Sequence, residues 1–178
     1  MTDQLSAKDW IDRGLKALAR NGFTALKAEP LAKAMGVSRG SFYWHFADLR
    51  AFHDAILTRW REIAAERIIA DVEAHGGGDP LASLLRTTFG AKLDLERAVR
   101  NWAAFDPAAH VAVRAIDRRR LDYIEGLLEK RGLTAAKAQA RAQILYWTFL
   151  GFALSGSSLS AARLQPLLDE IQQMIGRG

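Results

Sequence analysis

The run Leu31-Ala32-Lys33-Ala34-Met35-Gly36-Val37-Ser38-Arg39-Gly40-Ser41-Phe42-Tyr43-Trp44-His45-Phe46 admits few backbone courses. Leu31, Ala32 and Met35 fall at helical spacing, Gly36 permits the positive φ of a tight turn, and Ser38 is a capping residue for whatever helix follows. Val37 is placed to plug the gap between the two helices. Phe42 and Phe46 lie four apart, so both turn inward on one face. The stretch predicts helix, tight turn, helix, the last ending near Phe46. Arg39, Ser41, Tyr43, Trp44 and His45 are left to the outer face and its margins.

The remaining chain is punctuated in the same way. Trp10, Ile11, Leu15, Leu18 and Ala19 form an apolar face that ends at Asn21-Gly22, a left-handed stop. Pro30 is acceptable only near the first turn of the second helix. Asp48 caps a long fourth helix striped by Leu49, Phe52, Ile56, Trp60, Ile63 and, less regularly, Ile68 and Val72. From Asp48 to His75 it would extend roughly 42 Å. Gly76-Gly77-Gly78 is the sharpest break. Asp79-Pro80 and Asp106-Pro107 repeat one signature, Asp as cap and Pro as first helical residue. The first introduces Leu81, Leu84, Leu85 and Phe89. The second introduces Val113, Ile116, Leu121, Ile124, Leu127 and Leu128 before a stop at Arg131-Gly132. Asp94 to Phe105 reads as a helix of its own, Thr134 opens another, and Ser160 opens the last. The expectation is an all-α chain of about nine helices. Residues 1–47 would be a three-helix helix-turn-helix module. Residues 48–178 would be a second helical domain, joined to the first by the helix over 48–75.

Composition narrows the chemistry. Of 178 residues 49% are hydrophobic, enough for a sizeable core, and the net charge of +5 permits an anionic partner without requiring one. The absence of cysteine excludes disulfides, Cys-ligated zinc and thiol nucleophiles. His53, His75 and His110 are not read as metal ligands, and no metal is expected. Asp94 and Glu96 lie two apart, which sends them to different sides of a helix. No phosphate-cradling glycine loop or nucleophile elbow occurs, so neither an enzyme nor a cofactor is expected. Met1 to Trp10 is polar, and the longest apolar run, Ile144 to Leu154, is about half the ~20 residues that span a bilayer. A soluble, cytoplasmic protein without a membrane partner follows.

A short helix that turns hydroxyls, aromatics and a cation outward suits a DNA groove and its phosphates. At Gly36-Val37-Ser38-Arg39-Gly40-Ser41-Phe42-Tyr43-Trp44-His45-Phe46 the sequence resembles the TetR family of transcriptional regulators. Gly22-Phe23, Leu31-Ala32, Asp48 and Leu49 fall at that family's spacing. Arg100, Trp102-Ala103, Asp106, Asp117 and Arg120 resemble one branch of its C-terminal domain. The resemblance implies a homodimer, most simply a repressor, that binds a pseudo-palindromic double-stranded operator and is released by a small-molecule effector. It places Arg39, Gly40 and Ser41, with the capping Ser38, at base edges or adjacent phosphates. Tyr43, Trp44 and His45 fall at phosphate-contacting positions, and Lys27 and Lys33 at further backbone contacts. Base identity then rests mostly on Arg39, which can grip guanine O6 and N7. Of Arg118-Arg119-Arg120, which on a helix point three ways, Arg120 takes the inward structural role. Lys27 departs from the family, which usually has Thr or another capping residue there. Lysine cannot accept a hydrogen bond from helix N–H groups.

Beyond Gly78, Leu85, Phe89, Trp102, Phe105, Tyr123, Trp147 and Phe149 are available to line a ligand cavity, and each is equally a core candidate. His110, Arg100 or Arg114 would anchor an anionic or aromatic ligand. Ala140, Ile144, Trp147, Gly151 and Leu154 or Ser155 make one apolar stripe. Leu164, Leu168, Ile171 and Ile175 make another, and together they suit a four-helix dimer interface. Neither segment has the basic polar face of a membrane-surface helix. Two heads about 34–36 Å apart would enter successive major grooves, and a ligand favouring another separation would lower operator affinity. Two alternatives stand beside this: a protein-interaction module anchored by Tyr43, Trp44 and Phe46, and a small-molecule carrier that has lost DNA binding.

Overall fold

Side-chain caps set helix starts at Ser6, Asp48, Asp79 and Asp106. The computed structural model describes residues 5–74, 78–156 and 159–176, and among them are nine α-helices and no strand. His75, Gly76 and Gly77 lie outside the described residues. Helix α1 (Ala7–Asn21) begins at a reciprocal capping box, Ser6 with Asp9. α2 (Ala28–Met35) starts after Lys27, which makes no side-chain cap, and α3 (Arg39–Tyr43) is only five residues long. α5 (Pro80–Phe89) starts at Asp79, whose carboxylate accepts from the Leu81 amide, with Pro80 in the first turn. α6 (Asp94–Ala103) follows. At α7 (Pro107–Lys130) the Asp106 carboxylate accepts from the Ala109 amide at 2.8 Å. α8 (Ala135–Leu154) and α9 (Ala161–Gly176) complete the chain, and Pro166 inside α9 leaves the Ala162 carbonyl without its helical donor.

α4 is one continuous helix of three parts: Leu49–Arg61, a π-helical turn Glu62–Glu66, and Arg67–Ala74. The turn corrects the stripe expected here. Buried positions run Phe52, Ile56, Trp60, then step by five to Ala65 before Ile69 and Val72. The extra residue moves Ile63 and Ile68 toward the margin, where both are half-exposed. α3 also ends earlier than expected, its last turn closing through Trp44. At Gly22 the backbone has φ 75 and ψ −174, an extended glycine-only conformation instead of a left-handed helical stop.

Packing groups the chain into two units, Met1–Glu62 with Leu93–Arg114, and Ile63–Lys92 with Ala115–Gly178. α6 packs on α1 within the first unit. That unit's core includes Trp10, Leu18, Phe42, Phe52, Ile56, Val99 and Trp102; the second's includes Leu81, Leu85, Leu128, Leu145 and Leu168.

α1 and α4 approach closely at Gly14. A Cβ there would stand 2.7 Å from Ile56 Cδ1 and 2.7 Å from Phe52 Cζ, both on fully buried side chains. Gly14→Val is expected to destabilise the protein by about 1–3 kcal/mol through overpacking, lowering its thermal midpoint by several degrees. Gly126, in α7, has nothing within 4 Å of such a Cβ. Gly126→Ala should hold or raise the midpoint, with a gain of up to ~1 kcal/mol. Equal midpoints for the two variants in a thermal melt would show that α1 and α4 do not meet closely at Gly14.

Candidate functional site

In the first unit, α2 closes on Gly36, which adopts a left-handed conformation (φ 71, ψ 25) while the Val37 amide donates back to the Ala32 carbonyl. α3 leaves this turn with Phe42 fully buried. The Phe42 ring meets Trp10 at 5.3 Å, Phe46 at 5.2 Å and Phe52 at 5.2 Å. Phe46 is buried too, so it offers nothing to a protein partner.

With those rings inward, the opposite surface is fixed. Trp44 is 86% exposed and Tyr43 45% exposed. Lys27, Lys33, Ser38, Arg39 and Gly40 are exposed, while Ser41 and His45 are half-buried. The Arg39 guanidinium donates to the Tyr43 hydroxyl at 3.2 Å and lies 5.6 Å above its ring; this hydrogen bond, first of all, raises the arginine above its ordinary pKa. Ser38 makes no side-chain cap.

The expected ligand residues divide between the two units. Leu85, Phe89, Tyr123 and Phe149 line a cavity in the second, together with Ala64, Ala65, Thr88, Arg120 and Tyr146. It has about 50 Å³ in which the centre of a water molecule can sit. Trp102 and Phe105 are not part of it. They line an open groove of the first unit, where Trp102 stacks on Phe23 at 4.8 Å. Trp147 and His110 are exposed, and neither lines the cavity. The expected anchors lie elsewhere as well: Arg100 donates to Glu96 at 2.8 Å, and Arg114 is exposed. Glu96 is itself buried, and the four-residue spacing of this pair was its signal in the sequence.

Arg120 is the cation that reaches the cavity. Its Nη2 and Nε donate to the Ala64 carbonyl at 3.0 and 3.3 Å, inside the π turn. Nη1 is 3.4 Å from the Tyr146 hydroxyl, which donates to Asp117 at 2.5 Å, and the guanidinium lies 5.3 Å above the Phe149 ring. Arg119 forks onto both Glu66 oxygens at 3.1 Å, and Arg118 is exposed. The Tyr123 hydroxyl is buried in the wall and has no hydrogen-bond partner among the described residues. Burial, and secondarily Glu73, push this phenol up, against a smaller opposing effect of Arg119. Among the described residues no group of three or more His, Cys, Asp or Glu side chains could hold a metal ion.

Of the two expected dimer stripes, one faces outward. On α8, Ile144, Trp147, Gly151, Leu154 and Ser155 are exposed. On α9, Leu168, Ile171 and Ile175 are buried and Leu164 half-buried, because this face packs against α5 and α8 of its own protomer. The exposed apolar residues of α9 are instead Leu167 and Met174. Among the described residues no helix is long and apolar enough to cross a membrane.

Residues 11–56 match the model of bacterial regulatory proteins of the tetR family. No curated protein matches the chain by sequence. A transcriptional regulator from Rhodococcus sp. Rha1 is similar in structure, with a TM-score of 0.80 and 20% identity over 96% of each chain. A protein of Saccharomonospora viridis, described as a transcriptional regulator and solved with choline, has a TM-score of 0.77 and 17% identity, covering 94% of this chain and 95% of its own. NemR of E. coli, in its reduced form, has a TM-score of 0.75 and 21% identity, over 94% of this chain and 95% of its own. Over residues 11–56 the chain matches bacterial regulatory proteins of the tetR family, and the fold as a whole is similar to that of these solved regulators.

Proposed function

We propose that this protein is a ligand-responsive, DNA-binding transcriptional regulator, a repressor that binds a pseudo-palindromic operator as a homodimer and is released by a small molecule. The observation that carries the reading is the α3 surface. Arg39, Tyr43 and a nearly bare Trp44 stand outward on a helix pinned from behind by Phe42, within the segment that matches regulatory proteins. Tyr43, Trp44 and His45, with Lys27, Lys33 and Ser38, take phosphates; Arg39 reads bases; Gly40 and Ser41 let the helix approach closely. Catalysis plays no part in this function, and its setting is the cytoplasm.

A dimer is supported by the exposed stripe on α8 beside Leu167 and Met174 of α9. Burial of such a patch against its own copy would leave Trp147, 64% exposed in the single chain, in the interface. Ligand dependence is supported by the cavity in the second unit. The S. viridis protein of this fold was solved with choline, a small organic molecule. A ligand that prefers one conformation of the dimer shifts operator affinity by that preference, typically 1–3 kcal/mol.

Selection from random duplex DNA should enrich a two-fold-symmetric site. Affinity for it should fall steeply between low and moderate salt. Tyr43→Ala should weaken binding to all sequences alike while leaving the salt slope close to that of the wild type, because the phosphate contact it removes is uncharged. Arg39→Ala should cost about 1–3 kcal/mol and relax discrimination at a single base pair. Binding that is feeble at low salt and indifferent to both changes would sink the reading.

Trp147→Glu should convert the dimer to monomers in sedimentation. It should weaken operator binding at least tenfold while leaving each protomer's helicity intact. A variant that sediments as a dimer would place the interface elsewhere.

A further inference from the structure

The second unit's cavity has a chemical character that narrows what can occupy it, given the reading of this site as the effector cavity. Its wall is built mainly of Leu, Ile, Phe and Ala side chains, and among the described residues no carboxylate lines it. The polar groups that do reach the wall are already engaged, with one exception. Thr88 donates to the Leu84 carbonyl at 2.8 Å. Arg120 is held by the Ala64 carbonyl and the Tyr146 hydroxyl, and Tyr146 in turn donates to Asp117, so the half-buried cation is linked to a countercharge through Tyr146. An anionic ligand would compete for Arg120 with the Ala64 carbonyl and the Tyr146 hydroxyl. A cationic ligand would find no carboxylate among the described residues of the wall. Either charge would also be desolvated among apolar side chains, which opposes its entry.

The exception is the Tyr123 hydroxyl, covered by the wall and without a partner. A buried hydroxyl in that state is destabilising, because it has given up its water without gaining a partner. The void is also small, about 50 Å³, whereas benzene fills a cavity on the order of 150 Å³. A ring enters only if the wall yields, and a molecule that brings Tyr123 the partner it lacks offsets part of that cost. We propose that the cavity is a site for a small uncharged, largely apolar molecule of about one aromatic ring, bearing a single oxygen or nitrogen that pairs with the Tyr123 hydroxyl.

Four probes of similar size separate the possibilities: acetophenone, ethylbenzene, benzoate and benzylammonium. Each is titrated into the full chain, wild type and Tyr123→Phe, by calorimetry and thermal shift. Acetophenone should bind and raise the thermal midpoint. Ethylbenzene should bind about three- to tenfold more weakly, the equivalent of one net hydrogen bond. The two ions should bind at least tenfold more weakly than acetophenone. In Tyr123→Phe the preference for acetophenone over ethylbenzene should vanish. Without probe, this variant should melt no lower than wild type, because it removes an unpaired buried hydroxyl.

The proposal is overturned by tighter binding of either ion than of acetophenone. It is equally overturned by an acetophenone preference that survives Tyr123→Phe, by a variant that melts lower, or by no acetophenone binding at millimolar concentration. Operator DNA then distinguishes this proposal from the regulator reading. Acetophenone binding without release of DNA would remove the effector role and leave the cavity's chemistry standing. DNA release by benzoate alone would do the reverse.

Discussion

A helix of five residues has no stability of its own, because closing its first turn fixes several dihedrals for a single hydrogen bond. What the first unit presents therefore depends on one buried ring. Phe42 is fully buried against Trp10 of α1, Phe52 of α4 and the adjoining Phe46, all at ring separations of 5.2–5.3 Å. Once Phe42 is committed inward, the 100° step of the helix leaves Tyr43 and Trp44 no equivalent place in the core. The left-handed Gly36 sets where α3 begins, and the aromatic cluster sets which way it faces. Surface chemistry at Arg39, Tyr43 and Trp44 is thus a consequence of core packing behind it.

A comparable role falls to Arg120 in the second unit. A π turn carries one residue more than an α-helical turn and disturbs the regular ladder of carbonyls and amides. The Ala64 carbonyl, within that turn, receives two donors from Arg120, and Glu66 at the turn's end receives the Arg119 fork. These bonds tie α7 to α4 from one side. They also explain why a cavity with a guanidinium in its wall remains apolar in character. The cation's hydrogen-bonding capacity points to backbone, to Tyr146 and to the Phe149 face.

The parts legible in the sequence are those where one residue type has one physical reason to be there. Gly36 before Val37, Asp before Pro at 79–80 and 106–107, and Phe42 paired with Phe46 each had a local cause, and each is realised. The π turn was half-legible. The stripe of α4 faltered after Ile63, but a faltering period does not say whether a residue has been added or a face has turned. The cavity was legible only by size. Leu85, Phe89, Tyr123 and Phe149 line it, yet Trp102 and Phe105 are equally large and serve the first unit. A side chain's volume says that it needs a neighbour, not which helix supplies one. Arg120 illustrates the remaining gap: its partner is a backbone carbonyl 56 residues away, which no side-chain pattern encodes.

α8 and α9 show the same limit from another side. An apolar stripe announces a buried face without naming what covers it. The stripe of α9 is consumed inside the protomer, against α5 and α8. α8 differs because it is apolar almost all round: Ala138, Ala142, Leu145, Tyr146, Phe149 and Ala153 are buried, while Ile144, Trp147 and Leu154 stand exposed on other sides. A helix of that kind needs cover on more than one face, and at roughly 25 cal/mol per Å² an uncovered tryptophan and its aliphatic neighbours forgo several kcal/mol of burial. Polar substitutions would have made that face comfortable in water at little cost to the protomer. Their absence along Ile144, Trp147, Gly151 and Leu154 is what favours a second copy of the chain as the cover, since an isologous contact lets one stripe serve as both surfaces.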